Sequence, residues 1–508
     1  MKMKKLTMLL LAALLAVCAA VLPAAAEENA QEIDLTGHIV ILHTGDSHGW
    51  ADGNLGFGRV AYAKDVLEGA GATVLLLDAG DALHGLPFAN ISEGESIVQL
   101  MNEAGYDAMA AGSHDFSYGA DRLQELAAQA KFSMLTANVL KEDGSALLPG
   151  SMIIERNHVK FGIFGLTTPE TAHAVASENL TGLTFDDPIE TAKAAVAALE
   201  AENCTLIIAL THLGMENSGG VTAEMLAEQV EGIDVIVDGG SHTLLEEGLW
   251  TNGALLVSAG EYIGQIGCVD IDPIGLTAAT MLTVEDFGEA SRNETIDRLI
   301  AEMAAEQETL LNVPVGSTAV ELNGAQEAAG AGETNLGSFA ADALRSAAGT
   351  DIALINGGSI CAGIPAGEIT KGQLAAVFPW GYYAVAMDVT GAQLLAALEN
   401  GVSLIPAADG RFPQVSGMSF KFDPAQPAGS RVFEVKVNGE ALDAAKTYTL
   451  ATVDSIAAGG DGYPLTDAAV TGGFGTLEEI LIGYAGSFTA PIEPGTEGRV
   501  IMEAKPAD

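Results

Sequence analysis

Short runs of Val, Ile and Leu recur along the first half of the chain, separated by stretches with helical spacing: His38-Ile-Val-Ile-Leu42, Val74-Leu-Leu-Leu-Asp78, Phe161-Gly-Ile-Phe164, Leu206-Ile-Ile-Ala-Leu210 and Ile233-Asp-Val-Ile-Val237. Continuous apolar runs, rather than alternating ones, belong to strands covered on both faces, so this half must fold as an α/β domain with a largely parallel, buried sheet. Polar residues sit just past each run. Asp46 and His48 follow the first, Gly80-Asp81 the second, His212 and His242 two others, and Ser113-His114-Asp115 follows Tyr106-Asp-Ala-Met-Ala110. In such a sheet the carboxyl ends of the strands open onto one crevice, so these Asp and His side chains are expected to converge there. Carboxylates supply charge and neutral imidazoles supply direction, which is the donor set of a divalent-metal site. All nine histidines lie at or before His242.

Residues 1–26 combine Lys2, Lys4 and Lys5 with an apolar run and Pro23-Ala-Ala-Ala26, the three-part pattern of a secretory signal peptide, so the chain is expected to work outside the cytoplasm, in the periplasm or at the cell surface. No later stretch is apolar enough to anchor it stably in a membrane. Three further cysteines do not make a disulfide framework. A net charge of −46 repels nucleic acid and draws divalent cations to any cleft. With 508 residues, more than one core is expected. Residues 292–311 have apolar positions at helical spacing and read as a connecting helix, after which the α/β pattern restarts with Glu333-Thr-Asn-Leu-Gly337 and Asp351-Ile-Ala-Leu-Ile-Asn356. The expected division is a first domain at 36–288, a connecting helix at 289–312 and a second domain at 313–505.

The ordered segments HTGDSHG, LDAGD, GSHD, THLG and DGGSH, followed by Glu333-Thr-Asn-Leu-Gly337, Asn356-Gly-Gly, Phe378-Pro, Val415-Ser-Gly and Gly459-Gly-Asp-Gly-Tyr463, resemble the secreted bacterial 5'-nucleotidase and UDP-sugar hydrolase family. The resemblance implies a calcineurin-like metallophosphoesterase domain built as a four-layer α/β sandwich, and a second α/β domain that binds substrate. It implies Asp46, His48, Asp81 and His242 as ligands of one divalent ion (Zn, Mn, Fe or Mg), with Asp81 also bridging to a second ion beside His212. It makes His114 the acid that protonates the leaving oxygen, with Asp81 beside it in the catalytic centre, and Asn356, Phe412 and Asp461 contacts to the substrate. The implied ligand is a small phosphoester or nucleoside-like molecule, handled by a monomer.

Several family positions are substituted. At the second metal position Ser113 stands where the family has Asn, and Gly240 where it has His. Ser117 replaces the Asp that orients the catalytic histidine, Cys361 an Arg, and Ser455 a stacking aromatic. His84, three residues after Asp81, is a spare imidazole that either reaches the metal or simply lines the cleft. Two readings stand: a phosphoester hydrolase with an incomplete second metal site, and a catalytically weak or inactive member that keeps the fold to bind a ligand or partner.

Overall fold

The computed structural model describes residues 34–215, 220–288 and 290–506; the leader expected at 1–26 lies outside them. The chain divides into two compact units, one of residues up to 172 with 177–305, the other of residues 306–508 with the short segment 173–176.

The first unit holds two six-stranded sheets. One runs in the order Thr277–Leu282, Ile266–Ile271, Ile39–Thr44, Thr73–Asp78, Ala108–Ala110, Ser133–Leu135. Its last four strands are parallel and its first two antiparallel. The other runs Leu249–Thr251, Ala254–Val257, Val235–Asp238, Leu206–His212, Val159–Thr167, Ser151–Arg156, with four parallel strands between two antiparallel edges. Ile41, Leu75 and Leu77 from the first sheet pack with Ile163, Ile208 and Val237 from the second, so the sheets meet face to face. The residues between them in sequence, Val40, Leu42, Val74 and Leu76, point the other way and are buried as well. Helices cover these outer faces, which makes a four-layer sandwich and explains the unbroken apolar runs. The helix Pro188–Ala201 is typical. Asp187 caps it by accepting from the N–H groups of Ile189 and Glu190, Pro188 starts it, and it buries Ile189, Ala192, Val196 and Leu199 on the second sheet.

The stretch read as a connecting helix is helical at Glu294–Leu311, and the division between the units falls within it; its start is fixed by Asn293, whose side chain accepts from Thr295 and Ile296 N–H. It buries Ile296, Ile300 and Met303 at helical spacing.

The second unit is built on a mixed five-stranded sheet, in the order Pro413–Ser416, Ile352–Asn356, Thr447–Val453, Tyr383–Thr390, Ala469–Thr476, with a four-stranded sheet of Glu440–Ala441, Val432–Val437, Met418–Phe422 and Val500–Met502. The helices Asn335–Ala348, Gly391–Gly401 and Leu477–Gly486 complete its core. In the first turn of the last helix, Glu478 is 4% exposed and its Oε2 has no hydrogen-bond partner. Burial, helped by Glu479, pushes its carboxyl up to about 8 from 4.5. An acid raised in this way loses folding free energy as pH climbs from 4.5 toward 8, because the unfolded chain ionises first. Glu478→Gln is therefore expected to remove on the order of 3 kcal/mol of alkaline destabilisation. Denaturant unfolding of both proteins at pH 5 and pH 9 measures it; equal pH slopes would show that Glu478 ionises freely in the fold.

Candidate metal centre

Past its end at Thr44, the strand Ile39–Thr44 stays tied to its neighbour: Asp46 N–H donates to Gly80 O (2.8 Å), His48 N–H to Asp81 O (2.8 Å) and Gly49 N–H to Ala82 O (3.1 Å). To project side chains into the crevice from this ladder, both loops turn through left-handed backbone. Asp46 (φ 49°), His48 (45°), Asp81 (55°) and, on the second sheet's loop, His242 (54°) all adopt it. Asp and His tolerate this conformation better than most residues, yet each such position costs of order 1–3 kcal/mol and persists only where its surroundings force it. At the Asp81 loop the restraining group is Asp115. Its buried carboxylate accepts from four backbone N–H groups, those of Asp81 (2.9 Å), Ala82 (3.0 Å), Leu83 (2.9 Å) and Gly112 (2.7 Å).

The ring of His242 points its Nε2 to within 3.1 Å of His48 Nε2 and 3.7 Å of Asp46 Oδ1. On the other side His212 Nε2 lies 3.1 Å from Asp81 Oδ2 and 3.9 Å from Asp46 Oδ1. Two groups of possible ligands result, Asp46 with His48 and His242, and Asp46 with Asp81 and His212. Asp46 is common to both, a place the resemblance gave to Asp81; both Asp46 oxygens accept from Gly240 N–H (3.0 Å), which draws the carboxylate toward the His242 loop. His114 joins the cluster through its backbone N–H, which donates to Asp81 Oδ1 (2.7 Å), and its ring centroid lies 5.7 Å from that of His48. Ser113 Oγ is 3.4 Å from Asp81 Oδ2. His84 belongs to neither ligand group and packs edge-on against Tyr118, centroids 4.9 Å apart. Gly240 has φ +98°, and a Cβ there would stand 3.1 Å from the His212 ring.

Burial dominates the electrostatics. It drives His48 well below the ordinary imidazole value and His114 down to about 4. Asp115 is pushed up to about 7 by burial and by Asp81, against its N–H donors. Asp81 is buried too, but His212 and His114 hold its carboxyl well below the usual range. For His242 burial opposes charge, and the Glu261 hydrogen bond and Asp46 outweigh it, carrying the ring up to about 9. Glu261 escaped the sequence reading, which placed Asp115 past its strand end without a role. Glu261 Oε2 accepts from His242 Nδ1 (2.7 Å), as Ala79 O accepts from His212 Nδ1 (2.8 Å). Each bond fixes the proton on Nδ1 and leaves Nε2 to face the centre.

In the second unit, Asn356 Nδ2 donates to Asp461 Oδ2 (2.6 Å) and Ser359 Oγ to Asn356 Oδ1. A pocket of about 330 Å³ lies alongside, walled by Gln326, Glu327, Gly357, Gly358, Asp409 and Gly410. Phe412 does not present its ring there. It is 1% exposed and packs edge-on against Phe422 in the core, because the strand it enters is buried on both sides; only its carbonyl reaches the pocket wall, accepting from Gly357 N–H (2.7 Å). Arg411 is neutralised by Asp409 (2.8 Å). Cys361 Sγ accepts from the indole N–H of Trp380 (3.2 Å), a ring left 46% exposed.

Residues 39–244 match the calcineurin-like phosphoesterase family and residues 314–468 the 5'-nucleotidase C-terminal domain. A 5'-nucleotidase of Vibrio vulnificus is 30% identical over 89% of this chain and 91% of its own length. The chain belongs to the 5'-nucleotidase family. The trifunctional nucleotide phosphoesterase YfkN of Bacillus subtilis is 32% identical over 91% of this chain, which spans only 35% of that longer protein. The 5'-nucleotidase precursor of Thermus thermophilus is 31% identical, with a TM-score of 0.56 over 92% of this chain and all of its own. The NAD nucleotidase of Haemophilus influenzae, at 20% identity and a TM-score of 0.71, shares the fold.

As a 5'-nucleotidase family member, the chain is a hydrolase of the metallophosphoesterase class, and calcineurin-like phosphoesterases bind divalent metals. Its residues fit such an ion. His212 Nε2 is buried with no hydrogen-bond partner, although two carboxylates flank it. Glu261→Gln is expected to weaken metal binding by about 10- to 100-fold through loss of the oriented His242 ring. Competition against a chelating dye reads this; unchanged affinity would show that Glu261 is a bystander.

Proposed function

We propose that this 5'-nucleotidase family member hydrolyses phosphoesters of nucleotides or related small molecules outside the cytoplasm, acting as a monomer. One divalent ion would be held by Asp46, His48 and His242, and a depleted second position would lie around Asp46, Asp81 and His212. The observation that carries this reading is the convergence of these five side chains, from four separate strand ends, around Asp46. A bound ion would polarise the phosphoryl group and lower the pKa of an attacking water. The chain's own part is orientation and proton delivery. Asp115 sets the Asp81 loop, and His114, locked to Asp81 through its backbone, would pass a proton to the leaving oxygen; burial keeps its ring uncharged at neutral pH, so it would first have to gain that proton when the phosphoester binds. Residues 36–288 would carry the chemistry. The 313–505 domain would bind a nucleoside-like group through Asp461 and Asn356 beside the glycine-walled pocket.

Ser113, Ser117 and Gly240 favour a slow enzyme, and together with Cys361 and Ser455 they support the second reading, a weak or inactive member that binds a nucleoside-like ligand. Turnover of a panel of nucleoside monophosphates, nucleotide sugars and aryl phosphodiesters separates the two. Ser113→Asn with Ser117→Asp is expected to raise hydrolysis by about tenfold, since a positioned acid is worth about 10²–10⁴-fold. Adding Gly240→His is expected to give nothing more, because the left-handed backbone and the His212 ring oppose a side chain there. No turnover of any substrate, before or after the double substitution, would leave only ligand binding.

A further inference from the structure

The second unit carries another cavity, of about 410 Å³, where the helices Asn335–Ala348 and Leu477–Gly486 meet the segment 489–499. Its apolar wall is aromatic. Tyr484 and Phe488 stand at 87° with centroids 5.2 Å apart, and Phe339 closes on them at 5.2 and 6.3 Å. Tyr484 and Phe488 meet edge to face, and Phe488, two residues past the helix end, keeps 44% of its surface in water. The polar wall is acidic, formed by Asp342, Glu493 and Glu497. Arg499 is the one cation among the lining residues, and it is fully engaged: Asp342 takes two of its N–H groups (2.8 Å each), Glu497 a third (3.0 Å) and Val415 O a fourth contact (2.9 Å). That leaves Glu493 without a basic neighbour in the lining.

Concave space of this size, aromatic on one side and anionic on the other, selects against anions and against compact, strongly hydrated ammonium groups, which would lose too much water among the rings. A diffuse cation surrounded by methyl groups loses little and gains the electrostatic attraction of the ring faces. We propose that this cavity is a binding site for a small organic cation of the quaternary ammonium class, with its methyl groups in the Phe339, Tyr484 and Phe488 corner and its charge toward Glu493 and Glu497. The site lies wholly within the second unit and uses none of the residues assigned to phosphoester chemistry.

Calorimetry on the whole chain with choline, and with its neutral isostere in which a quaternary carbon replaces the nitrogen, tests the assignment. Choline is expected to bind at least about tenfold tighter than the isostere. Phe488→Ala is expected to weaken choline about tenfold with unchanged circular dichroism, Phe488→Tyr to preserve binding, and Glu493→Gln to weaken choline while leaving the isostere unaffected. Equal binding of choline and isostere would reduce the cavity to a plain apolar cleft and overturn the proposal. So would indifference of choline binding to Phe488→Ala, or no saturation by choline at about 20 mM.

Discussion

Asp46→Ala is expected to yield a protein that emerges from gel filtration with no stoichiometric divalent ion and hydrolyses phosphoesters about 10³-fold more slowly than its parent. Asp46 is the one residue shared by both groups of possible ligands, and it also anchors Gly240 N–H with both oxygens. Its removal therefore weakens each ion position at once and frees the His242 loop. Elemental analysis with a turnover assay decides the matter. A variant that keeps one ion and its activity would move the centre toward Asp81 and His212, and two tightly held ions in the parent would contradict the depleted second position.

The second large effect falls on stability. Asp115→Ala removes the acceptor of four backbone N–H bonds in a residue 1% exposed. At about 1–3 kcal/mol for each orphaned donor, partly relaxed, the loss should be on the order of 4 kcal/mol. Asp115→Asn keeps the shape but turns an NH₂ toward two of those donors, so about half of the damage should persist. Denaturant unfolding should show the first unit's transition displaced and the second unit's unchanged. A first-unit transition within about 1 kcal/mol of the parent would mean that the left-handed turns at Asp46, His48 and Asp81 are held by something else.

How much of this was legible in the sequence follows from the range of each interaction. The parallel strands at Ile39–Thr44, Thr73–Asp78 and Leu206–His212 could be read because strands buried on both faces leave unbroken apolar runs. The antiparallel edge Ser151–Arg156 was not read, since its residues alternate between half-buried and exposed and carry charge at Glu155 and Arg156. The polar residues after each run could be gathered into one crevice from topology alone. Their supporting groups could not. Glu261 meets His242 from a loop beyond the Ala254–Val257 strand, with no motif around it, and only its proximity in space makes it an orienting carboxylate. Asp115 sits beside the presumed acid His114, yet its side chain turns to backbone N–H groups, a choice set by the turn at His114–Phe116. Phe412 misled for a related reason: a motif gives residue identity and leaves open which side of a strand entry the ring will take. In this chain it takes the core side, next to Phe422.

The left-handed backbone at Asp46, His48, Asp81 and His242 reaches beyond the site itself. At Asp46, His48 and Asp81 the unfavourable conformation is held by bonds within the protein, those of the inter-loop ladder and the N–H groups that Asp115 accepts. Ion capture then requires no reordering of chain, so its heat-capacity change should be small, its association fast, and amide exchange in these loops nearly the same with and without the ion. A site of this kind behaves as a rigid socket: loading and unloading alter its charge and leave its shape alone.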